Sequence, residues 1–529
     1  MAESAPYLAL DNAVELHRTG RLEEAAALYQ QIISQDPDNA DAHALLGYLL
    51  FTIKNFDEAE RLIKRAISID PSAGLFYLYL ANIAQERGDH KQAIAHLQAC
   101  LDRNPEFSDG WLNLSRIAEQ AGDYALAEHT GSEATRLTPQ NPGAWLALGV
   151  ALTRQERHDE ALQHYQQAAI LSPEWADAWD NIGLSHMYMN RLDDAEQAFR
   201  HVIDLCSQTI PDDAVRHLDE TAFGTRHWHL SQLELMKGDY WLGFGRYRCR
   251  FSANGGLQRM DYAQPVWKGE DIRGKTLMIM DEEGRGDGLM MARYIPLLRQ
   301  HGVRVIFYIR PVFATLFRDW YGADNVIVHG EDIGHFDYYC WVLDLPYLMQ
   351  TTLDSVPDHV PYLPILQTDA HSYLGTKTKP RIGLVWAGSA QQTHYKRQIP
   401  LETLAPMIRD DQFDFYNLTR DKREGDDELL ATLPITDLAP RLRDFADLSR
   451  FVDQMDLIIS CDTATPHLAG GMGKPCWVLL SYSSDWRWLT EREDSPWYPT
   501  LRLFRQSAVG DWSELIDRVY AALSTETFQ

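Results

Sequence analysis

Apolar and polar residues follow a fixed period of 34 residues along the N-terminal part of the chain. Prolines recur at this spacing from Pro37 to Pro173, and alanines recur at the same spacing from Ala25 to Ala195. A small alanine lets two paired helices approach closely, and a proline cannot continue a helix. The pattern therefore predicts six consecutive helix pairs over residues 6–205.

Beyond Gly274 the pattern changes to short apolar runs separated by amphipathic segments. This order predicts strand–helix–strand units with parallel strands, in two successive sets. The first set has strands at 275–280, 303–309 and 325–328 and a helix at 289–300. The second set has strands at 382–387, 413–418, 457–461 and 476–480 and a final helix at 512–523.

Two further segments divide the chain. Residues 228–251 are rich in aromatic residues and predict one more, degenerate helix pair, followed by a linker at 253–265. A polar stretch at 369–380 predicts a second linker. The predicted divisions are 1–205 for the repeats, 206–270 for the degenerate pair and linker, 271–370 for the first α/β half and 378–529 for the second.

The composition mainly argues against certain classes of partner, location and site. The 529 residues carry 49 Lys and Arg against 76 Asp and Glu, a net charge of −27, so nucleic acid is not an expected partner. No run approaches the roughly 20 apolar residues of a membrane-spanning helix, and the N-terminus lacks the features of a signal peptide. The six cysteines form no Cys-x-x-Cys pair and no carboxylate cluster of metal-site type is apparent, so we expect reduced thiols, a cytoplasmic protein and no metal.

The repeat landmarks resemble those of tetratricopeptide repeats. Glycines precede the alanine of three repeats by five residues, and Trp111, Trp145 and Trp179 recur with the same period. The resemblance implies an α-solenoid, a right-handed superhelix with a concave groove lined by the first helix of each repeat.

Two asparagines suggest a ligand for this groove. Asn113 and Asn181 occupy the position at which the similar protein O-GlcNAc transferases carry a peptide-binding asparagine ladder, and Tyr79 occupies that position in another repeat. An amide can clamp an extended peptide through both a donor and an acceptor. The resemblance implies that Asn113, Asn181 and Tyr79 line a groove for an acceptor peptide. An exposed polar helix face is the alternative explanation of the asparagines.

Five motifs in the two α/β halves are more specific than the periodicity. They are the glycine turn 284–288 (GRGDG), the runs 383–389 (GLVWAGS) and 396–401 (KRQIPL), and the strings 462–470 (DTATPHLAG) and 494–499 (DSPWYP). Together they resemble heptosyltransferase-like glycosyltransferases, in particular bacterial proteins that fuse such a module to tetratricopeptide repeats. The resemblance implies a GT-B fold, in which one Rossmann-like half faces the acceptor and the second binds the nucleotide sugar.

The second half supplies the predicted donor site. Asp462 and Thr463 leave a strand and open a helix whose free N–H groups suit a diphosphate, with Thr465 and His467 in its first turn. An N-cap role is the alternative for Asp462. The family uses small hydroxyl and basic residues in the other motif of this half, which implies four more donor-binding residues: Gly388, Ser389, Lys396 and Arg397.

The first half supplies the predicted base. An inverting transfer needs a group that takes the proton of the acceptor hydroxyl, and the resemblance places the catalytic aspartate at Asp287, within the glycine turn. Glu283 is the alternative base. Capping of the helix that follows is the structural alternative for Asp287.

These features together predict a metal-independent, inverting glycosyltransferase without a cofactor. It would move a sugar from a nucleotide-sugar donor to a protein Ser/Thr hydroxyl, with the repeats recruiting an acceptor such as flagellin or another surface protein. The alternatives are a transferase acting on lipopolysaccharide or another glycan, and a repeat scaffold with an inactive transferase half. A homo-oligomer is compatible with the repeats, and no residue identifies the base, the sugar or the acceptor.

Overall fold

The computed structural model describes residues 5–215, 224, 226–253, 260, 262–282, 284–366, 374–388 and 397–528. The chain divides into two compact units, an N-terminal unit, Met1–His186, and a C-terminal unit, Met187–Gln529. None of the helices in the described ranges is both long and apolar enough to cross a membrane.

The predicted helix pairs are confirmed. Twelve helices follow one another at the predicted positions, and the period alanines Ala25 to Ala195 are fully buried in the second helix of each predicted pair. The twelve helices are α1 (Ala5–Arg18), α2 (Leu22–Gln35), α3 (Ala40–Thr52), α4 (Phe56–Ile69), α5 (Gly74–Glu86), α6 (His90–Arg103), α7 (Ser108–Gln120), α8 (Tyr124–Leu137), α9 (Pro142–Arg154), α10 (His158–Leu171), α11 (Ala176–Tyr188) and α12 (Leu192–Leu205).

A recurring hydrogen bond links tryptophan and proline landmarks of successive repeats. The indole N–H of Trp111 donates to the carbonyl of Pro105 at 2.8 Å, and Trp145 and Trp179 make the same bond to the prolines six residues before them, both at 2.9 Å. His43 contacts the carbonyl of Pro37 from the equivalent position at 3.0 Å. The loop that enters the first helix is thereby fixed to that helix.

The two helices of a repeat contact each other through residues of complementary size. A Cβ on Gly47 would lie 2.6 Å from Ile63, and a Cβ on Gly149 would lie 2.5 Å from the ring of Tyr165, so both glycines are required by close approach. Where the first helix carries a larger side chain, the second carries a smaller one. The facing pairs are Gly47 with Ile63, Ala81 with Leu97, Ser115 with Gly131, and Gly149 with Tyr165.

Three short helices precede the sheets of the C-terminal unit: α13 (His227–Met236), α14 (Tyr240–Tyr247) and α15 (Arg250–Ala253). They are joined to their surroundings by buried ion pairs. Arg246 contacts Glu234 at 3.0 Å and also pairs with Asp212. Arg250, with no exposed surface, contacts Glu282 at 2.7 Å and Asp344 at 2.8 Å, which ties α15 to the first sheet.

The first α/β half is a parallel sheet of four strands in the order β3-β2-β1-β4. Its strands are β1 (Thr276–Met280), β2 (Arg304–Ile309), β3 (Val326–Val328) and β4 (Tyr338–Trp341). Its helices are α16 (Arg285–Met291), α17 (Tyr294–Gln300), α18 (Ala314–Tyr321) and α19 (Leu345–Leu348).

The second half is a parallel sheet of six strands in the order β10-β9-β8-β5-β6-β7. Its strands are β5 (Arg381–Val385), β6 (Asp414–Asn417), β7 (Ile435–Asp437), β8 (Leu457–Cys461), β9 (Cys476–Leu480) and β10 (Leu501–Arg505). Its helices are α20 (Leu401–Ile408), α21 (Asp426–Leu430), α22 (Phe445–Asp453), α23 (Ala464–Gly471) and α24 (Trp512–Leu523).

Several element boundaries differ from the sequence prediction. The single helix predicted over 289–300 is two helices, α16 and α17. Pro296 has no N–H for the carbonyl of Ala292, which accepts from Ile295 instead, so the helix breaks there. Strands β4, β7 and β10 were not predicted, because β4 and β7 have only four and three residues and β10 (LRLFR) carries two arginines within its apolar run. Much of both predicted linkers lies outside the described residues.

Candidate functional site

The candidate site lies where the carboxyl ends of strands from both sheets meet. The loop after β1 contains the glycine turn 284–288, and the loops after β8 and β9 contain Asp462 and Asp485. Helix α16 packs against α23, which brings these loops of the two halves together. In open α/β sheets this edge is where ligands bind.

Asp287 is held by two groups. Its Oδ2 accepts a hydrogen bond from the N–H of Gly284 at 2.8 Å, so Asp287 caps the start of α16. Its Oδ1 accepts hydrogen bonds from the guanidinium of Arg487, from Nε at 3.1 Å and from Nη2. The predicted base is therefore buried, and it is bound across the cleft by a residue of the second half.

Arg487 begins a run of alternating charges. Its Nη1 donates to Asp485 at 2.7 Å, and Asp485 also accepts from Arg397 at 3.1 Å. Arg397 in turn contacts Asp462 at 2.8 Å. We call Asp287, Arg487, Asp485, Arg397 and Asp462 the ion-pair chain. Each of these five charged side chains contacts the next, so the ion-pair chain joins the turn after β1 to the turn after β8.

Burial and neighbouring charges set the pKa values in this chain. Burial raises the pKa of Asp462 above its usual value, although Arg397 opposes the shift. Asp485 is also buried, but Arg487 and Arg397 both contact it and hold its pKa well below the usual range. Asp287 and Asp485 together hold the pKa of Arg487 well above its usual value, so its guanidinium stays charged.

His467 packs tightly at the start of α23. Its Nδ1 lies 2.9 Å from the hydroxyl of Tyr498, and its ring stacks on Trp488 with centroids 5.2 Å apart. A Cβ on Gly286 would lie 2.5 Å from His467 Cδ2, so a glycine is required for the turn to approach the imidazole. Burial, helped by the charge of Arg487, lowers the pKa of His467 well below its usual value, so the ring is neutral at pH 7.

The start of α23 offers fewer free donors than the sequence suggests. Thr463, rather than Asp462, is the N-cap, and its side chain accepts from the N–H of Thr465 at 3.4 Å. Pro466 has no N–H to offer. A diphosphate at this end would therefore depend largely on side chains such as Arg397.

The remaining predicted donor residues lie at the end of β5 and beyond it. Gly388 lies close to Thr463: a Cβ on Gly388 would be 3.1 Å from the methyl group of Thr463. Arg397 belongs to the ion-pair chain. Ser389, Lys396 and the alternative base Glu283 lie outside the described residues.

The predicted groove residues have different surroundings. Asn113 is partly buried on α7, and the amide of Asn181 donates to the carbonyl of Asp177, one turn earlier on its own helix, at 2.8 Å. Tyr79 is not on an open surface. It packs in the apolar core, stacked on Tyr48 with ring centroids 4.6 Å apart.

Sequence reasoning missed Asp485 and Arg487. Both lie in the loop after β9, where Asp485 also caps the short 3-10 turn Trp486–Trp488. The available signal was an Asp-Trp-Arg-Trp string separated by four residues from the end of a buried strand, at the same sheet edge as Asp462. Within the described residues, no group of three or more His, Cys, Asp or Glu side chains is arranged to hold a metal ion.

Two family models and a curated relative match parts of the chain. Family models match residues 8–169 (cilia and flagella-associated protein 70, C-terminal domain) and residues 176–209 (tetratricopeptide repeat). A curated relative, protein FlbA of Caulobacter vibrioides, is 27% identical over 318 residues, which are 53% of this chain and 52% of FlbA. The chain thus spans about half the length of that relative.

Solved structures also match parts of the chain. YrrB, described as a TPR protein with an unusual peptide-binding site, is 21% identical with a TM-score of 0.31 and covers 34% of this chain and 91% of its own. PilF of Pseudomonas aeruginosa is 19% identical with a TM-score of 0.35 and covers 39% and 94%. With six helix pairs and two matching repeat models, the chain is a tetratricopeptide-repeat protein from its first described helix to residue 209.

Proposed function

We propose that this tetratricopeptide-repeat protein is an inverting glycosyltransferase that moves a sugar from a nucleotide-sugar donor to a Ser/Thr hydroxyl of a protein. The observation that carries the proposal is the ion-pair chain, because it brings charged groups from the carboxyl ends of β1, β8 and β9 into one cluster. The GT-B assignment and independence from metal come from the family resemblance, which is an argument by analogy.

The proposed reaction assigns one task to each half. Asp287 takes the proton of the acceptor hydroxyl while the hydroxyl oxygen forms its bond to the anomeric carbon. The bond from that carbon to the diphosphate breaks at the same time, and the nucleoside diphosphate leaves with the electron pair. Arg397, with about a quarter of its side chain exposed, is placed to stabilise the negative charge that develops on the leaving group.

The repeats would select the acceptor. Stacked helix pairs form extended surfaces that bind polypeptides. Asn113, which is partly exposed, remains a candidate contact for an acceptor peptide. Asn181 would have to exchange its present bond to the Asp177 carbonyl for one to the peptide. Flagellin or another surface protein is the acceptor class implied by the resemblance.

One observation favours a second candidate, a repeat scaffold without catalysis. Both carboxylate oxygens of Asp287 accept hydrogen bonds from the protein itself, and Asp462 is paired with Arg397. A purely structural cluster has this property, because buried charges that serve stability are fully paired.

A nucleotide screen separates the two candidates. UDP, GDP, ADP and CMP are added in turn, and the unfolding of the C-terminal unit is followed by calorimetry. Binding to the folded state alone stabilises by RT ln(1 + [L]/Kd), about 2.7 kcal/mol at a hundredfold excess over Kd. Arg397→Gln should reduce the stabilisation, whereas Arg273→Gln, which changes an exposed arginine paired with Asp271, should leave it intact.

The donor sugar is then found with a panel of nucleotide sugars and a co-expressed acceptor, read by the mass added to the acceptor. Absence of stabilisation by all four nucleotides would refute the enzyme and favour the scaffold.

A further inference from the structure

We propose that Arg487 binds the donor's diphosphate and that the diphosphate thereby displaces it from Asp287, which frees the base only when a donor is present. This inference rests on the proposed function. It adds a donor-binding residue that neither the motifs nor the resemblance assigned, and it gives that residue a second task, the control of Asp287.

The present contacts of Asp287 motivate the proposal. A base must offer a free oxygen lone pair to the acceptor hydroxyl. Here both lone pairs of Oδ1 are used by two nitrogens of Arg487, whereas Oδ2 accepts one bond, from the N–H of Gly284. The bond to Gly284 is local and caps α16, so Oδ1, the oxygen on the side of the second half, becomes available to the acceptor hydroxyl only when the contact with Arg487 opens.

Arg487 has a pivot that stays in place when it leaves Asp287. Asp485 accepts from the Arg487 side chain at 2.7 Å and from its backbone N–H at 3.1 Å. The guanidinium carbon lies 4.2 Å from the centroid of the Trp486 ring, a flat surface on which the planar group can shift. The side chain is 12% exposed, so part of it is open to solvent.

Charge balance gives the direction of the exchange. The ion-pair chain holds three carboxylates and two guanidiniums, so it has one negative charge more than positive charges. A diphosphate that bound while all the ion pairs stayed closed would add further negative charge to this cluster. If Arg487 turns from Asp287 to the diphosphate, the guanidinium gains a bidentate anionic partner. Asp287 then faces the acceptor as an unshared carboxylate.

The test is a double-mutant cycle on nucleotide binding with the full chain. The ligand is the nucleoside diphosphate (UDP, GDP or ADP) that gives the largest stabilisation in the screen, and Kd is measured by isothermal titration calorimetry. If Asp287 competes with the diphosphate for Arg487, Asp287→Asn should tighten binding several-fold. Arg487→Gln should weaken it roughly tenfold, the typical effect of one charge-assisted hydrogen bond.

The Asp287→Asn change is also made in two arginine variants, to find whether the tightening of nucleotide binding depends on Arg487. In Arg487→Gln the tightening should disappear, because no guanidinium remains to be released. In Arg397→Gln, whose side chain contacts Asp485 and Asp462 but not Asp287, the tightening should persist. Circular dichroism checks the fold of every variant, and Arg487→Lys, which keeps the charge but lacks the planar guanidinium that binds anions with two parallel hydrogen bonds, replaces Arg487→Gln if that variant is unfolded.

Two outcomes overturn the inference in different ways. Equal tightening by Asp287→Asn with and without Arg487 would mean that Asp287 simply repels the nucleotide, and the inference alone would fail. Absence of nucleotide binding by the wild-type chain would remove the proposed function and this inference together.

Discussion

Each guanidinium of the ion-pair chain lies between two carboxylates, so the effect of a single substitution depends on which partner it leaves behind. Removing an arginine leaves two buried acids that lose a counter-charge, whereas changing Asp287 to Asn keeps the shape and leaves Arg487 with Asp485. Substitutions that conserve shape are therefore the informative ones at this site.

The proposed base gives the first residue-scale prediction. Asp287→Asn should lower turnover by roughly 10²–10⁴, because it removes the proton acceptor while an amide oxygen can still cap α16. Nucleotide affinity should not fall, and the melting temperature should change little. Turnover within a few-fold of the wild type, measured with the acceptor and donor identified by mass spectrometry, would rule out Asp287 as the base.

His467 gives a prediction about pH. Because its folded pKa lies well below the usual value, the unfolded chain binds the proton more readily as the pH falls below about 6.5. The unfolding free energy of the C-terminal unit should therefore decrease as the pH falls through this window, with a contribution of at most about 1.4 kcal/mol per pH unit from this residue.

The measurement compares variants by calorimetry between pH 7 and 5, a range chosen around the usual histidine pKa of about 6.5. His467→Gln should flatten the slope, whereas His335→Gln, which changes a histidine with an 82% exposed side chain, should keep the wild-type slope. Equal slopes in all three proteins would show that His467 does not set this dependence.

At the scale of elements, the helix pairs of the N-terminal unit fit because the sizes of facing side chains are matched. Gly149 lies against the ring of Tyr165, whose hydroxyl is 2.9 Å from that of Thr153 and whose position is therefore fixed. In another repeat the same two positions hold Ala81 and Leu97, so the first side chain is larger than glycine and the second is smaller than tyrosine.

This matching predicts coupled substitutions. Gly149→Ala should destabilise by up to about 2 kcal/mol, since overpacking costs about 1–3 kcal/mol and the better helix propensity returns about 1 kcal/mol. Tyr165→Leu alone should also destabilise, because it leaves a gap opposite glycine. Together they recreate the pairing of Ala81 with Leu97, so the double variant should lose clearly less than the sum in urea denaturation. Additive losses would contradict the matching.

At the scale of the whole molecule, the boundary between compact units falls within α11, before the last helix of the sixth repeat. Helix α12 and the segment after it belong to the C-terminal unit, because they form ion pairs with residues of α14 and of the turn before it. Arg246 pairs with Asp212, and Lys237 contacts both Asp193 and Glu196, at 2.8 and 2.7 Å. A truncation should therefore begin at Met187 rather than near Trp228.

A chain of residues 187–529 should bind nucleotide with nearly the affinity of the full protein but should show a raised KM for the protein acceptor at a similar kcat. A chain of residues 228–529 should unfold at a lower temperature, because the buried Arg246 loses Asp212, one of its two carboxylate partners. If the chain of residues 187–529 modifies the protein acceptor as well as the full protein does, recruitment by the repeats is wrong.

The sequence predicted those features whose causes are local or periodic. Repeat landmarks lie 34 residues apart, and buried strands such as β8 and β9 are visible as apolar runs. The contact between Asp287 and Arg487 joins residues 200 positions apart, and no short-range pattern encodes it. For the same reason the burial of Tyr79 against Tyr48 was not expected, because a ladder position does not specify which aromatic neighbour covers it.

The hydrogen bonds from tryptophan to proline carbonyl have a consequence for how the repeat array could have grown. The proline lies at the end of one repeat and the tryptophan, six residues later, near the start of the next, so a duplicated 34-residue segment would carry both groups and could form the same bond with each neighbour. The stability of such an array is approximately the sum of the stabilities of its repeats and of the contacts between neighbouring repeats. Gain or loss of whole repeats would therefore alter the length of the array without redesign of the repeats that remain.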